Sequence, residues 1–423
     1  MPDAKVVIIG GGIIGLCSAY FLTRQGYKVT IIERNAVGQG CSLGNAGMLV
    51  PSHFIPLAAP GVIAKGIKWM LQPESPFSIA LSSALSPKDI QWLWKFYRKA
   101  NQTHVDKCTR TLRDLNMHSR ALFEEMGRDP NLNLTLGQQG LFMLYKTAEA
   151  ERAEKKMAAQ AQALDLDVAE LTGHQVQEME PDVRVNVRGA IHYRCDSHLD
   201  PAQLMKSMTN WLTSAGATLL EYTEAVGFEQ DHHGRLTSVL IHNKKGRRAL
   251  QADEFVLAAG AFSAGVAKLL GDKLPMASGK GYSITLEEQP KVTRVPAIMT
   301  EAKATMTPMG NKLRFGGTME LAAKAEGINQ AKVRGLWKAV SQYYPDFGEE
   351  RLVRQKVWSG LRPCSPDGMP YIGRFKQHEN LIAATGHSMM GVSLGPATGK
   401  QVSELIAGST SGNINFNLMS PDR

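Results

Sequence analysis

Near the start of the chain, two strand-like apolar runs, Lys5-Val6-Val7-Ile8-Ile9 and Tyr27-Lys28-Val29-Thr30-Ile31-Ile32, flank a segment of helical pattern at 16–25. Unbroken apolar runs on either side of a helix predict a βαβ unit whose strands are parallel and covered on both faces. From 41 to 61 the pattern is lost to small residues, amides and Pro51, Pro56 and Pro60, which predicts an extended segment. Helical patterns are expected over 87–127 and 148–163, with Pro73, Pro76 and Pro87 as punctuation and a strand at 141–145 between them. A second α/β block opens at Asp200, a plausible N-cap, with Pro201 in the first helical position and Gly216 as the stop. Strands are expected at 217–222, around 226, at 236–242 and at 254–258, and strand signals dominate 271–320. A helix over 328–344 precedes a glycine-rich final block that ends in a helix at 401–406.

The first turn carries the candidate chemistry. Gly10-Gly11-Gly12-Ile13-Ile14-Gly15 places G-x-G-x-x-G between the first strand and the helix, and Glu33 closes the second strand. Glycine lets the backbone bend tightly and approach a pyrophosphate, the helix N-terminus offers it N–H groups, and the acid accepts from a ribose hydroxyl. The C-terminal block repeats the style. Thr385-Gly386-His387 through Gly391, then Gly395 and Gly399, lead into a second helix N-terminus, suited to the edge of a flavin ring where negative charge develops on reduction.

Bulk properties narrow the remaining choices. The 423 residues allow two domains or one elaborated one, and 43% hydrophobic with 21% charged residues is ordinary for a chain with a buried core. The net charge is +9, yet its densest cluster, Lys244-Lys245-Gly246-Arg247-Arg248, lies between two strand patterns and reads as a solvated hairpin tip, so no nucleic-acid partner is expected. Five scattered cysteines without C-x-x-C spacing predict reduced thiols and neither a metal site nor a disulfide framework. No signal peptide and no apolar run long enough to span a bilayer is present, so a cytoplasmic protein is expected. One segment qualifies that. In 89–99, Ile90, Leu93, Trp94 and Tyr97 share one face of a basic helix. Such a stripe packs into the core or rests on an anionic membrane, on the inner face of which the protein would be peripheral.

Taken together, these segments resemble the D-amino-acid oxidase superfamily of FAD-dependent amine dehydrogenases, most closely its bacterial D-amino-acid dehydrogenase branch. The resemblance spans essentially the whole chain. It rests on the glycine fingerprint with Glu33-Arg34, on Ser42-Leu43-Gly44-Asn45-Ala46-Gly47-Met48, and on Ala59-Pro60-Gly61, Ala259-Gly260 and Gly281-Tyr282-Ser283. Gly360-Leu361-Arg362-Pro363 with Asp367-Gly368 and Pro370, and Gly386-His387 through Gly391 and Gly395, complete it. The fold implied is α/β: a Rossmann-like FAD-binding domain from discontinuous segments (1–60, 195–270, 355–423) and an inserted α+β substrate domain with a mixed or antiparallel sheet (61–194, 271–354).

By the same resemblance, Gly10, Gly12 and Gly15, with Ile13 and Ile14, hold the FAD pyrophosphate, Glu33 the ribose and Arg34 the adenine side. Ser42, Asn45, Ala46, Gly47 and Met48 follow the ribityl chain and flavin, Val226 meets the adenine through its backbone, and Ala259 and Gly260 close over the diphosphate. Gly386, Met389, Met390, Gly391 and Val392 lie near the isoalloxazine ring. Arg362 is the expected carboxylate anchor, since a guanidinium matches a carboxylate with two parallel hydrogen bonds. Tyr282 is a candidate hydroxyl contact to the same carboxylate, and His53 a candidate pocket residue. His387 is expected to orient backbone rather than act as a base.

The implied reaction is hydride transfer from the Cα of a D-amino acid to FAD, yielding a 2-oxo acid and ammonia, with a quinone or other carrier as electron acceptor. A secondary-amine or imino-acid dehydrogenase acting on D-proline, hydroxyproline or sarcosine is the alternative, and a non-catalytic nucleotide-binding redox sensor a remote one. Two features depart from the family pattern. Pro51-Ser52-His53-Phe54-Ile55-Pro56 differs from the best-known D-alanine dehydrogenases, which leaves substrate preference open. The cysteine pattern of covalent flavin attachment is missing, although Cys364 lies nearby, so FAD is expected to be held noncovalently. Oligomeric state is open.

Overall fold

A computed structural model describes residues 3–64, 66, 74–79, 86–322, 325–348, 350, 355–409 and 414–423; Pro73 lies outside them. The predicted βαβ unit forms: Lys5–Ile9, the helix Ile13–Arg24 and Lys28–Ile32, with Val6 opposite Val29 and Ile8 opposite Ile31 in parallel register. Among the described residues these strands belong to a six-stranded sheet. Its order is Tyr371–Arg374, Leu381–Thr385, Glu254–Leu257, Lys5–Ile9, Lys28–Ile32 and Thr218–Leu220. Only Tyr371–Arg374 runs antiparallel to its neighbour. The sheet therefore draws its strands from the beginning, middle and end of the chain.

Every residue from Ile13 to Leu22 is buried, because the helix Ile13–Arg24 is sandwiched between this sheet and other helices. Gly399, in the helix Gly395–Ala407, meets its backbone at Cys17, and Cys17, Leu204, Met208 and Leu212 lie in the same core as Leu112, Leu115 and Phe123 of Gln102–Met126. The final helix thus starts at Gly395, with Pro396 in its first turn, earlier than the 401–406 pattern suggested: its glycines are part of the helix, where they permit close packing.

The second sheet, nine-stranded among the described residues, is mixed. Its main path runs Val357–Cys364, Ala277–Leu286, Lys312–Leu321, Ala304–Met309, Ala297–Met299, Leu141–Tyr145, Gly189–Tyr193 and Val168–Thr172, mostly antiparallel, and Phe77–Ile79 pairs with Lys312–Leu321. Val357–Cys364 is its edge strand, paired with Ala277–Leu286. The sequence assigns that stretch to the nucleotide-binding segment; its hydrogen bonds place it in the mixed sheet instead. One face packs on the helix Gln330–Tyr343, whose Val333, Leu336 and Val340 share a core with Phe315 and Met306.

The 87–127 pattern is two helices, Pro87–Lys99 and Gln102–Met126, broken where the Asn101 side chain accepts from His104 N and caps the second. In the first, Trp92 and Phe96 are the buried residues, and Trp92 Nε1 donates to Cys364 O at 2.9 Å. Ile90, Trp94 and Tyr97 of the aromatic stripe are 57%, 56% and 69% exposed, while its Leu93 packs partly buried against the core of Trp92 and Phe96. The hairpin Leu236–Asn243/Gly246–Gln251 carries Lys244 and Lys245 at its exposed tip, as predicted. No helix among the described residues is long and apolar enough to cross a membrane.

One side chain joins the two sheets. Arg314, on Lys312–Leu321, donates through Nη1 to Leu43 O at 2.9 Å and Asn45 O at 2.8 Å, pinning the loop that follows the βαβ unit. Arg314→Met leaves both carbonyls without a charged donor, at a cost of about 1–3 kcal/mol. A lowered thermal midpoint is the expected outcome, and an unchanged one would show that the clamp contributes nothing.

Candidate active site

At the C-terminal ends of the parallel strands the backbone comes into close contact with itself. Gly10 N donates to Ile32 O and Ala258 N to Ile9 O, both at 2.9 Å, so three chain segments meet at one turn. Gly10 has φ +117°, and a Cβ there would lie 2.4 Å from Ala258 O. A Cβ on Gly15 would lie 2.0 Å from Gly10 O. Both positions require glycine for different reasons, strained φ in one and helix-to-strand contact in the other. Glu33 accepts from Gly11 N at 2.8 Å and Asn35 N at 3.0 Å, which fixes its carboxylate beside the turn. The Arg34 guanidinium stacks 3.5 Å from the Phe262 ring centre.

A cavity of about 970 Å³ begins at this turn. Gly10, Gly12, Ile13, Ile14, Glu33, Arg34, Ala259 and Gly260 line one end. It continues past Ser42, Asn45, Ala46 and Met48, reaches Met389, Met390, Gly391 and Val392, and includes His53 and Arg362. Four expected contacts fall outside its wall. Gly15, Gly47 and Gly386 support the backbone behind it: Cβ atoms there would meet Gly10 O, Leu199 O and the Tyr371 ring. Val226 sits at a bulge of Glu224–Gln230, and the wall is formed by Thr223, Glu224 and Ala225 before it. Ser42 Oγ accepts from Ile13 N at 3.2 Å, and Asn45 Oδ1 from Gly47 N at 2.8 Å, so this loop is tied to the helix N-terminus and to itself.

At the other end, Arg362 projects from the mixed-sheet edge. Its Nη1 donates to Thr318 O at 2.5 Å, and the guanidinium crosses Gly281 so closely that a Cβ there would lie 2.2 Å from Nη2. Thr318 holds φ +64° to present that carbonyl, a conformation a β-branched residue rarely adopts. No carboxylate forms an ion pair with Arg362 among the described residues. Its hydrogen-bond partners are the Thr318 carbonyl and, at 3.9 Å, the Met319 sulfur, and its side chain opens on the cavity.

Tyr282 also lines the cavity, but its hydroxyl is engaged elsewhere. The hydroxyl donates to Glu320 Oε1 at 2.5 Å and accepts from Asn329 N at 3.1 Å, and the buried side chain packs with Ile284 and Phe315. Strand alternation puts it on the opposite face from Gly281, which a motif alone does not show. His387 is buried and bonded through Nε2 to Thr398 Oγ1 at 2.9 Å. Burial pushes its pKa down to about 3, so it is a neutral tie between loop and final helix. Trp358, Lys303 and Thr318 also line the cavity and were not singled out from sequence. Trp358 stands two residues before the Gly360-Leu361-Arg362-Pro363 motif, and isolated Lys303 and Thr318 carry no local signal.

With this geometry in view, comparison with known proteins is direct. A model of the DAO family, FAD dependent oxidoreductases, matches residues 5–405, and the chain belongs to that family. A D-amino acid dehydrogenase of Helicobacter pylori (strain ATCC 700392 / 26695) is 30% identical over 405 residues, 95% of this chain and 94% of that relative. The fold matches glycine oxidase from Geobacillus kaustophilus with a TM-score of 0.75 at 22% identity, covering 100% of this chain and 99% of that one. It matches L-proline dehydrogenase from P. horikoshii with a TM-score of 0.71 at 19% identity, covering 100% and 98%. The protein is an FAD-dependent oxidoreductase, and its turn fits the cofactor: side chains are lacking where a pyrophosphate must approach, and a fixed carboxylate stands beside it.

Gly10→Ala should abolish FAD retention, because its Cβ must displace the Ala258 carbonyl. The purified variant is expected to be colourless while the wild type is yellow; a yellow variant would show that the turn can relax.

Proposed function

We propose that this enzyme oxidises a D-amino acid at Cα. FAD supplies the hydride acceptor. The imine leaves the enzyme and water converts it to a 2-oxo acid and ammonia. In this reading the pyrophosphate lies over Gly10 and Gly12, the adenosine toward Glu33 and Arg34, and the flavin toward Asn45, Ala46 and Met48 and toward Met389 to Val392. Ala259 and Gly260 lie along the diphosphate. Arg362 carries the argument, as a guanidinium without a carboxylate partner among the described residues, in the same cavity as the dinucleotide turn. It would bind the substrate carboxylate and so aim Cα–H at the ring. A non-catalytic nucleotide binder has no need of such a group. Cys41 is the cysteine at the cavity wall; the residue is exposed, but the protein packed around its thiol raises its pKa against the lowering effect of Arg362. A thiol held protonated is a weak nucleophile, which supports noncovalent FAD.

The test is an anaerobic titration of the holoenzyme with D- and L-amino acids, including D-proline and hydroxyproline isomers. Bleaching of the flavin by the D series is expected. Bleaching by cyclic amines alone would move the reading to an imino-acid dehydrogenase, and none at all would overturn the substrate class. Arg362→Ala should stay yellow and raise KM on the order of 100-fold, the loss of charged hydrogen bonds worth about 3 kcal/mol; unchanged kinetics would remove the anchor.

The exposed stripe bears on the electron acceptor. Ile90, Trp94 and Tyr97 face out beside Lys88, Arg98 and Lys99, while Leu93, Phe96 and Tyr97 line the cavity. We propose that this helix rests on an anionic bilayer, which would bring a membrane quinone to the cavity mouth. Co-sedimentation with anionic liposomes should be strong at low salt and lost in Trp94→Glu; no binding at moderate salt would remove the membrane contact.

A further inference from the structure

The reaction proposed above leaves one proton unassigned, and this inference rests on that reading. Near neutral pH a free amino acid carries an ammonium group. Cα–H cannot leave as hydride until nitrogen regains its lone pair, so a proton must first move from the substrate to a base.

The chain builds an acceptor from residues 144 positions apart. Met48–Leu49 pairs antiparallel with Ser197–His198, which sets the two loops beyond these strands side by side. Ser52 N donates to Asp196 Oδ1 at 3.0 Å, and Ser52 Oγ to Asp196 Oδ2 at 2.5 Å. His53 Nδ1 lies 3.0 Å from Ser52 Oγ. Asp196 and Ser52 are 1% and 8% exposed, whereas His53 is half-buried and lines the cavity that holds Arg362. Serine has a single proton. When Asp196 is ionised that proton points to the carboxylate, so Ser52 Oγ accepts from Nδ1–H and the lone pair of His53 sits on Nε2.

We propose that His53, Ser52 and Asp196 form a proton relay in which His53 Nε2 takes a proton from the substrate ammonium and Asp196 stores it. As the N–H bond of the substrate breaks, Nε2–H forms. The Nδ1 proton passes to Ser52 Oγ, and the Ser52 proton passes to Asp196 Oδ2. The amine is left neutral with its lone pair, the imidazole stays neutral with its tautomer exchanged, and the negative charge of Asp196 is cancelled. His53 is the catalytic residue; Ser52 and Asp196 act through it.

The surroundings favour this end point. Burial, with Lys303 nearby on the cavity wall, pushes His53 down to about 4, so an imidazolium is not a stable resting place for the proton. Burial pushes Asp196 up to about 7, against the lowering effect of its Ser52 hydrogen bonds, so it accepts a proton near working pH. The other groups facing Asp196 are the Cys195 thiol, which donates to Oδ1 at 3.5 Å, the more distant Arg120, and Tyr193, behind which lies Glu154. Sign follows from the base role. Activity requires ionised Asp196 and is lost as pH falls through about 7.

The experiment is anaerobic rapid mixing of the holoenzyme with the D-amino acid that bleaches its flavin fastest, read as the reduction rate from pH 5.5 to 10 for wild type, Asp196→Asn, Ser52→Ala and His53→Gln. The wild-type rate is expected to rise through pH 7 to a plateau. Each variant should be slower on the order of 100-fold at neutral pH and recover as pH approaches the ordinary range of free amines, about 8 to 10. Affinity for the 2-oxo acid product, which has a carboxylate but no ammonium proton, should be unchanged. Variants with the wild-type rate and pH profile overturn the relay and leave amine oxidation standing. A loss equal at every pH, with weakened 2-oxo acid binding, also overturns it, by assigning the three residues a packing role. A wild-type flavin that no amino acid bleaches removes the substrate reading and the relay with it.

Discussion

Everything in this molecule is arranged around the near-contact of backbone with backbone at the C-terminal edge of its parallel sheet. Gly10 lies against the Ala258 carbonyl and Gly15 against Gly10 itself, leaving no room for a Cβ at either position. That closeness sets the helix Ile13–Arg24 directly behind the turn, aligns Glu33 beside it and opens the long cavity in front. A wider turn would fill the space where a pyrophosphate must lie and would move the helix N-terminus away from it.

The mixed sheet completes what the turn begins. Arg314 reaches from it to hold the loop at Leu43 and Asn45, so the wall of the cavity near its middle belongs mechanically to both sheets. At the far end, Arg362 lies across Gly281 and is held by the carbonyl of Thr318, whose left-handed backbone is a local cost sustained by the surrounding strands. The glycine turn and Arg362 are thus fixed relative to one another. Such fixed spacing is what the proposed hydride transfer would require.

The segment 41–61 shows how irregular chain can still be specific. It forms only the short strand Met48–Leu49, yet that pairing with Ser197–His198 brings Ser52 to Asp196 and turns His53 toward the cavity. A buried carboxylate is costly unless bonded, and here two of its hydrogen bonds come from Ser52, on a loop that also lines the cavity.

Local periodicity and glycine placement were enough to read the first βαβ unit, the hairpin tip and the capped helix at Pro201–Ser214, while the family resemblance supplied most of the residues expected along the cavity. These features depend on neighbours in sequence, through backbone geometry and side-chain period. The site residues that were misplaced or missed depend on contacts between distant segments. Tyr282 turned to the helix side of its strand because Glu320 and Asn329 lie there, and Val357–Cys364 joined the mixed sheet because Ala277–Leu286 offered its edge. The aromatic helix buried Trp92 and Phe96 and left Trp94 and Tyr97 outside, a choice set by what packs beneath it. The amino-acid sequence alone determined a dinucleotide-binding flavoprotein, because its turn is a local steric requirement. Only the tertiary structure decided which polar groups face that cofactor's cavity, because burial and long-range hydrogen bonding are properties of the assembled fold.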